Sequence, residues 1–114
     1  MPIPPNSKPP EPDQIRSFPR RWGWLDVRLM ESGTLATMTG EEALLYLALL
    51  CVSDLEGLSW WRDDTLGKRI GLGETGFQEA KRRLLEKRVV GFRPFYAGGR
   101  HGVWQVLDLP GASA

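Results

Sequence analysis

Behind Thr39 stand ten consecutive apolar residues, Ala43 to Val52, if Tyr46 is counted among them. A run this short cannot cross a bilayer, which takes roughly 20 residues. A helix that is apolar all round must instead be covered all round. Thr39 and Glu42 form the T-x-x-E signature of a capping box, in which each side chain satisfies a free backbone N–H at the helix start. The run therefore predicts the central helix of a globular core, with Cys51 as buried filler and Gly57 just beyond its end. Cys51 is the only cysteine. That excludes an intrachain disulfide framework and a cysteine-pair zinc knuckle, and it fits a reducing compartment. A thiol in apolar surroundings is held as the thiol, so Cys51 is read as unreactive.

A chain of 114 residues makes one domain. At about this size folding buries roughly two-thirds of the extended chain's surface, enough for one core and too little for a two-domain enzyme. Residues 1–17 hold six of the nine prolines and few apolar side chains, the composition of an extended, flexible arm. The folded unit is expected over 18–110, followed by a disordered tail at 111–114. The N-terminal residues lack the basic end and apolar run of a secretory signal, and no segment is long enough to span a membrane, so a soluble, cytoplasmic protein is expected.

Within the folded unit, "LDVRLMES" predicts a short helix from about Leu25 to Ser32, stopped at Gly33. "LSWW" (58–61) reads as a short aromatic strand. Asp63 or Asp64 then caps "DTLGKRI", a two-turn helix whose inward residues are Leu66 and Ile70. "ETGFQEAKRRLLEKR" follows as a second amphipathic helix with Phe77, Ala80 and Leu84 on one face and Leu85 at its edge. "VVGFRPFY" and "VWQVLDLP" flank a turn containing Gly98-Gly99 and form a hairpin, ended by Pro110. Pro94 lacks a ladder donor, which sends its strand to an edge.

Between the two helices, "GLGETG" (71–76) spells G-x-G-x-x-G. The dinucleotide fingerprint also needs an apolar strand before the first glycine and an acid about 20 residues on for the ribose. The preceding segment is capped, charged and spaced as a helix, and no acid occurs between Glu86 and Asp108. The same glycines serve a bend instead. Gly71 stops one helix at positive φ, Leu72 plugs the gap, and Gly73 starts the next, which makes a helix-turn-helix.

The order of elements, a long apolar helix, a short strand, a helix-turn-helix and a two-stranded hairpin, resembles the winged-helix DNA-binding domains of bacterial regulators and replication initiators. The resemblance spans about Phe18 to Pro110, and "DDTLGKRIGLGETGFQEAKRRLLEKRVVGFRP" carries most of it. "FPRRWGWL", "ALLYLALLCVSDLEGLSWW" and "WQVLDLP" look like a group of small bacterial winged-helix proteins. The resemblance implies an α+β winged helix-turn-helix: a helical core with a short strand and a C-terminal β-hairpin wing. It further implies that the helix beginning near Glu74 enters the major groove of double-stranded DNA. A 100° turn per residue puts Thr75, Gln78, Glu79, Arg82, Arg83 and Glu86 outward. Arg82 and Gln78 suit guanine and adenine edges, and Thr75 suits a phosphate or a thymine methyl. Lys81 lies nearer the core edge, its stem packed and its ammonium expected to reach out. Lys68, Arg69, Arg93, Arg100 and His101 are candidate phosphate contacts. Arg16, Arg20 and Arg21 follow the proline-rich arm, and arginine arms of this kind enter the minor groove.

Charge runs both ways. Residues 62–102 carry ten Lys or Arg against five acids, or +5, while residues 1–61 carry five against eight, or −3. The basic segment fits a polyanion. Glu74, Glu79 and Glu86, however, sit on or beside the outward helix face, and Glu79 has the spacing to pair with Arg82 or Arg83. Two functions stand open. One is sequence-specific duplex binding as a small transcriptional regulator or a plasmid or mobile-element accessory factor; the other is a winged-helix protein-interaction or dimerisation module. A homodimer sealed by the apolar helix and the tryptophans of "RRWGWL" suits either. An enzyme is not expected, since His101 is the only histidine and no carboxylate pair sits in a plausible pocket. No metal site, cofactor or small-molecule ligand is called for.

Overall fold

The computed structural model of the protein describes residues 8–16 and 25–109. Phe18, Arg20, Arg21, Trp22, Trp24 and the tail from Pro110 lie outside the described residues. Residues 8–16 are exposed and include one turn of 3-10 helix at Pro12–Gln14.

The capping box forms as expected. Thr39 Oγ1 accepts from the Glu42 N–H at 3.2 Å, and Glu42 Oε2 accepts from the Thr39 N–H at 2.8 Å. It precedes a helix over Gly40–Val52. A one-turn helix, α1, covers Arg28–Glu31, and the long helix is α2. α1 is shorter than the expected Leu25–Ser32. The Asp26 side chain already takes the Arg28 N–H at 2.9 Å, and Gly33 turns to φ +80°. Only Leu29 of α1 reaches the core.

Complete cover of α2 is not observed. Leu45, Tyr46 and Leu49 are buried with Glu42, whereas Leu44, Leu47 and Cys51 face water. α3, α4 and β3 pack against α2, and they leave the Leu44, Leu47 and Cys51 side uncovered. The expectation of a buried Cys51 is corrected accordingly: it is exposed.

Helices α3 (Asp63–Ile70) and α4 (Glu74–Glu86) are joined by the three residues 71–73. Gly71 sits at φ +73°, where a glycine carries no Cβ penalty. The Leu72 N–H returns to the Gly67 carbonyl at 2.9 Å, and Gly73 is the extended N-cap of α4. Gly67 is needed for close approach, because a Cβ there would stand 3.2 Å from the Leu72 carbonyl oxygen and 3.4 Å from the Phe77 ring. The residues leading into Gly71 are helical, so the strand demanded by a dinucleotide fingerprint is absent there. The capping expectation for α3 is corrected: Arg62 is the N-cap, with no side-chain bond, and Asp63 is the first helical residue.

Three antiparallel strands complete the fold: β1 (Leu58–Ser59), β2 (Val90–Pro94) and β3 (Gly102–Val106), ordered β1-β3-β2. Ser59 pairs with Trp104, and Trp104 pairs with Phe92 on its other side. Strand alternation turns this row inward. Trp104, 1% exposed, meets Phe92 and Phe77 edge-on at centroid distances of 5.0 and 6.4 Å. β2 is an edge strand, as Pro94 requires. β1 stops two residues short of the expected "LSWW", leaving Trp60 and Trp61 exposed. The core joins Leu45, Leu49, Leu66, Phe77, Leu84, Val89, Val90 and Trp104. The chain is thus mixed α+β, and among the described residues no helix is long and apolar enough to cross a membrane.

Candidate nucleic-acid interface

The outward face of α4 comes from its amphipathic spacing. Phe77, Ala80 and Leu84 are buried, while Thr75, Gln78, Arg82 and Arg83 are exposed. Lys81 departs from expectation. Its ammonium turns inward, 2.7 Å from Asp63 Oδ2 and 3.4 Å from the centroid of the Phe92 ring. Asp63 Oδ1 accepts the Trp104 indole N–H at 2.9 Å. Lys81 is therefore removed from the candidate contacts, because both its charge and its hydrogen-bonding capacity are committed inside.

That leaves the solvent-facing charges of α4 as Glu74, Glu79, Glu86, Arg82 and Arg83, two cations less three acids, or −1. They are knitted together. Arg82 donates to Glu79 and, through Nη1 at 2.5 Å, to Glu86; Arg83 Nε donates to Glu79 Oε1 at 2.9 Å. Hydrogen bonds from Arg82 first and Arg83 second hold the Glu79 carboxyl down at about 2. Its pKa falls on folding, so its contribution to stability is present above about pH 4.5 and is lost as pH falls through about 2. A carboxyl-resolved NMR titration of the folded protein is expected to place the Glu79 midpoint near 2. A midpoint at the ordinary glutamate value would mean that the arginines stand free.

Beside this face lies a groove of about 530 Å³ between α3, the start of α4 and the hairpin end, lined by Arg62, Asp64, Lys68, Gln78, Arg100 and His101 among others. Arg62 is bonded to Asp64 at 3.2 Å and to His101 Nε2 at 3.0 Å. A guanidinium only donates, so Nε2 is the acceptor and the imidazole proton sits on Nδ1, which is enclosed without a hydrogen-bond partner. The Arg62 hydrogen bond also draws the Asp64 carboxyl down to about 2. Arg100 pairs with Glu74 across the groove, tying the hairpin to the first turn of α4. Lys68, Arg69 and Arg93 are exposed and make no ion pair among the described residues. Arg16 is exposed, two residues beyond the 3-10 turn at Pro12–Gln14. The structure thus gathers Gln78, Lys68, Arg100 and His101 in one groove and keeps Arg82 and Arg83 on the adjacent helix face.

Lys87, one of the cations of the basic segment, is committed to the core. It bonds the buried Glu42 and the Thr37 carbonyl, the latter at 2.9 Å. Burial raises the Glu42 carboxyl, and the hydrogen bonds from Lys87 and Thr39 outweigh it, leaving the group below its ordinary value. Among the described residues no cluster of three or more His, Cys, Asp or Glu is arranged to hold a metal ion. No protein-family model, curated protein or solved structure matches the chain.

Proposed function

We propose that the chain is a winged helix-turn-helix protein that binds double-stranded DNA, with α4 as the reading helix and the β2–β3 hairpin as the wing. The observation that carries this reading is the tight bend at 71–73, which holds a 13-residue helix with one exposed polar face directly beside a hairpin free of carboxylates. Gln78, Thr75, Arg82 and Arg83 then face base edges, and Lys68, Arg69, Arg93 and Arg100 take phosphates. A small transcriptional regulator or a plasmid or mobile-element accessory factor would use such a surface. Duplex affinity measured across salt tests it: log K is expected to fall linearly with log salt. Binding indifferent to salt, or no binding to any genomic fragment, contradicts it.

One observation favours the protein-interaction reading instead, namely the −1 balance and closed ion pairs of the α4 face. The two readings part on the salt series. Either accommodates a homodimer through the uncovered stripe of α2, Leu44, Leu47 and Cys51, which recur at the spacing of one helix face. Sedimentation at micromolar concentration is expected to give the dimer mass, and Leu47→Glu to return the monomer. A wild-type monomer refutes the dimer.

A further inference from the structure

Among the described residues four large aromatic side chains face water: Trp60, Trp61, Phe95 and Tyr96, at 56%, 38%, 54% and 80% exposure. They come from two loops 35 residues apart, and the sheet register brings those loops to the same end of the molecule. β1 is paired with β3 as far as Ser59 opposite Trp104. Three residues beyond, the Arg62 side chain still reaches the His101 ring, at 3.0 Å, so the chain after β1 stays close to the start of β3. On the opposite side of β3, Arg93 pairs with Val103, and the Phe95 N–H donates to the His101 carbonyl at 3.0 Å. Three chain segments therefore lie side by side here. Ser59, Trp104 and Phe92 form the inward row, and alternation assigns Val103 and Arg93 to the outward one; Trp60 follows Ser59 directly beyond the end of β1 and is exposed.

Charge says what kind of partner suits these rings. From Arg88 to Leu107 the chain carries three arginines and no carboxylate. Arg93 is exposed and makes no ion pair among the described residues, and Arg100 is held only by an exposed pair with Glu74. Flat, water-exposed rings beside the arginines of a carboxylate-free hairpin form a surface that can stack bases and neutralise the strand joining them, although Asp64 and Glu74 lie close by, paired with Arg62 and Arg100. Bases inside a duplex are already stacked on one another and offer no face.

We propose that the hairpin end of the sheet is a binding platform for unpaired bases of single-stranded DNA, with Trp60 and Tyr96 stacking on bases and Arg93 and Arg100 taking phosphates. The exposed rings lie off the outward face of α4, but the site shares Arg93 and Arg100 with the phosphate contacts proposed for a duplex, so it is the abasic strand and the ring substitutions below that tell the two apart. It gives the protein a hold on a locally opened strand.

The test is fluorescence anisotropy of a labelled 15-mer of thymidine with the full chain at low salt. Binding is expected in the micromolar range, weakening as salt rises. An abasic 15-mer of equal charge should bind at least tenfold more weakly, and Trp60→Ala/Tyr96→Ala should lose at least tenfold for the thymidine strand. Trp60→Phe/Tyr96→Phe keeps flat rings and should stay within about threefold of wild type, which guards against a misfolded alanine variant. Equal binding of the abasic strand overturns the proposal, as does undiminished binding by a folded alanine variant. Failure to bind the thymidine strand, with the alanine variant instead changing the sedimenting mass, overturns it in favour of a protein contact.

Discussion

Asp63→Ala is expected to destabilise the protein by about 3–5 kcal/mol, because it strips a buried ammonium of its only counter-charge. Lys81 is 9% exposed, and its Nζ has Asp63 Oδ2 at 2.7 Å, with the Phe92 and Trp104 rings at 3.4 and 5.0 Å. The rings provide some cation–π attraction, yet they cannot replace a carboxylate for a charge withdrawn from water. The same substitution orphans the Trp104 indole N–H, now 2.9 Å from Asp63 Oδ1, and an unsatisfied buried donor costs about 1–3 kcal/mol. For a fold of this size the loss corresponds to a melting temperature lower by more than about 10 °C. Adding Lys81→Met removes the stranded charge while keeping a chain of similar length, so the double variant is expected to recover most of the loss. Urea unfolding of the two single variants and the double one closes the cycle. An Asp63→Ala variant within about 0.5 kcal/mol of wild type would mean that the ammonium lies outside, in water.

This ion pair also marks where reading the chain alone stops. α4 was legible from its first residue, Glu74, because Phe77, Ala80 and Leu84 recur at helical spacing and Gly71 and Gly73 bracket the bend, but it ends at Glu86, two residues short of the expected Arg88, which turns to φ +58°. The hairpin was legible because β-prone runs flank Gly98, which adopts φ +76°. Local pattern suffices for both. Lys81 was placed near the core edge from its helical angle, which was sound, but the direction of its ammonium depends on Asp63, 18 residues away on another helix. Asp63 itself looked like a cap because an acid before a helix usually is one. What overrode that habit was tertiary: the indole of Trp104 and the ammonium of Lys81 both needed its oxygens. Cys51 fails for a related reason. An all-apolar run states that much must be covered and leaves open what will cover it, and here α3, α4 and the sheet all settle on one side. That exposed rings from two loops come to the hairpin end was invisible because it rests on strand register, which sets Ser59 against Trp104 and Arg93 against Val103.

Charge substitutions on the two faces are expected to move duplex affinity in opposite directions. Lys68→Gln/Arg69→Gln removes two cations that make no ion pair among the described residues. If each takes one phosphate, as proposed, the slope of log K against log salt should flatten by about 2. Loss of two charge-assisted hydrogen bonds should weaken binding by about 100-fold at low salt. Glutamine keeps helix propensity, so α3 should persist. Glu79→Gln does the reverse. It unlocks Arg82 and Arg83 from the carboxylate they share and shifts the outward face of α4 from −1 to 0. Affinity for random-sequence duplex should rise and its salt slope steepen by about 1–2, as the released guanidiniums find phosphates without regard to sequence. In the wild type those arginines are held in fixed positions by Glu79 and Glu86, an arrangement that suppresses indiscriminate phosphate contacts and favours a partner whose acceptors match where the guanidiniums already are. Discrimination between the best-bound genomic fragment and random duplex should therefore shrink in Glu79→Gln even as overall affinity grows. Should both variants bind duplex within twofold of wild type, DNA does not meet this surface, and the closed ion pairs of α4 belong to a contact with another protein.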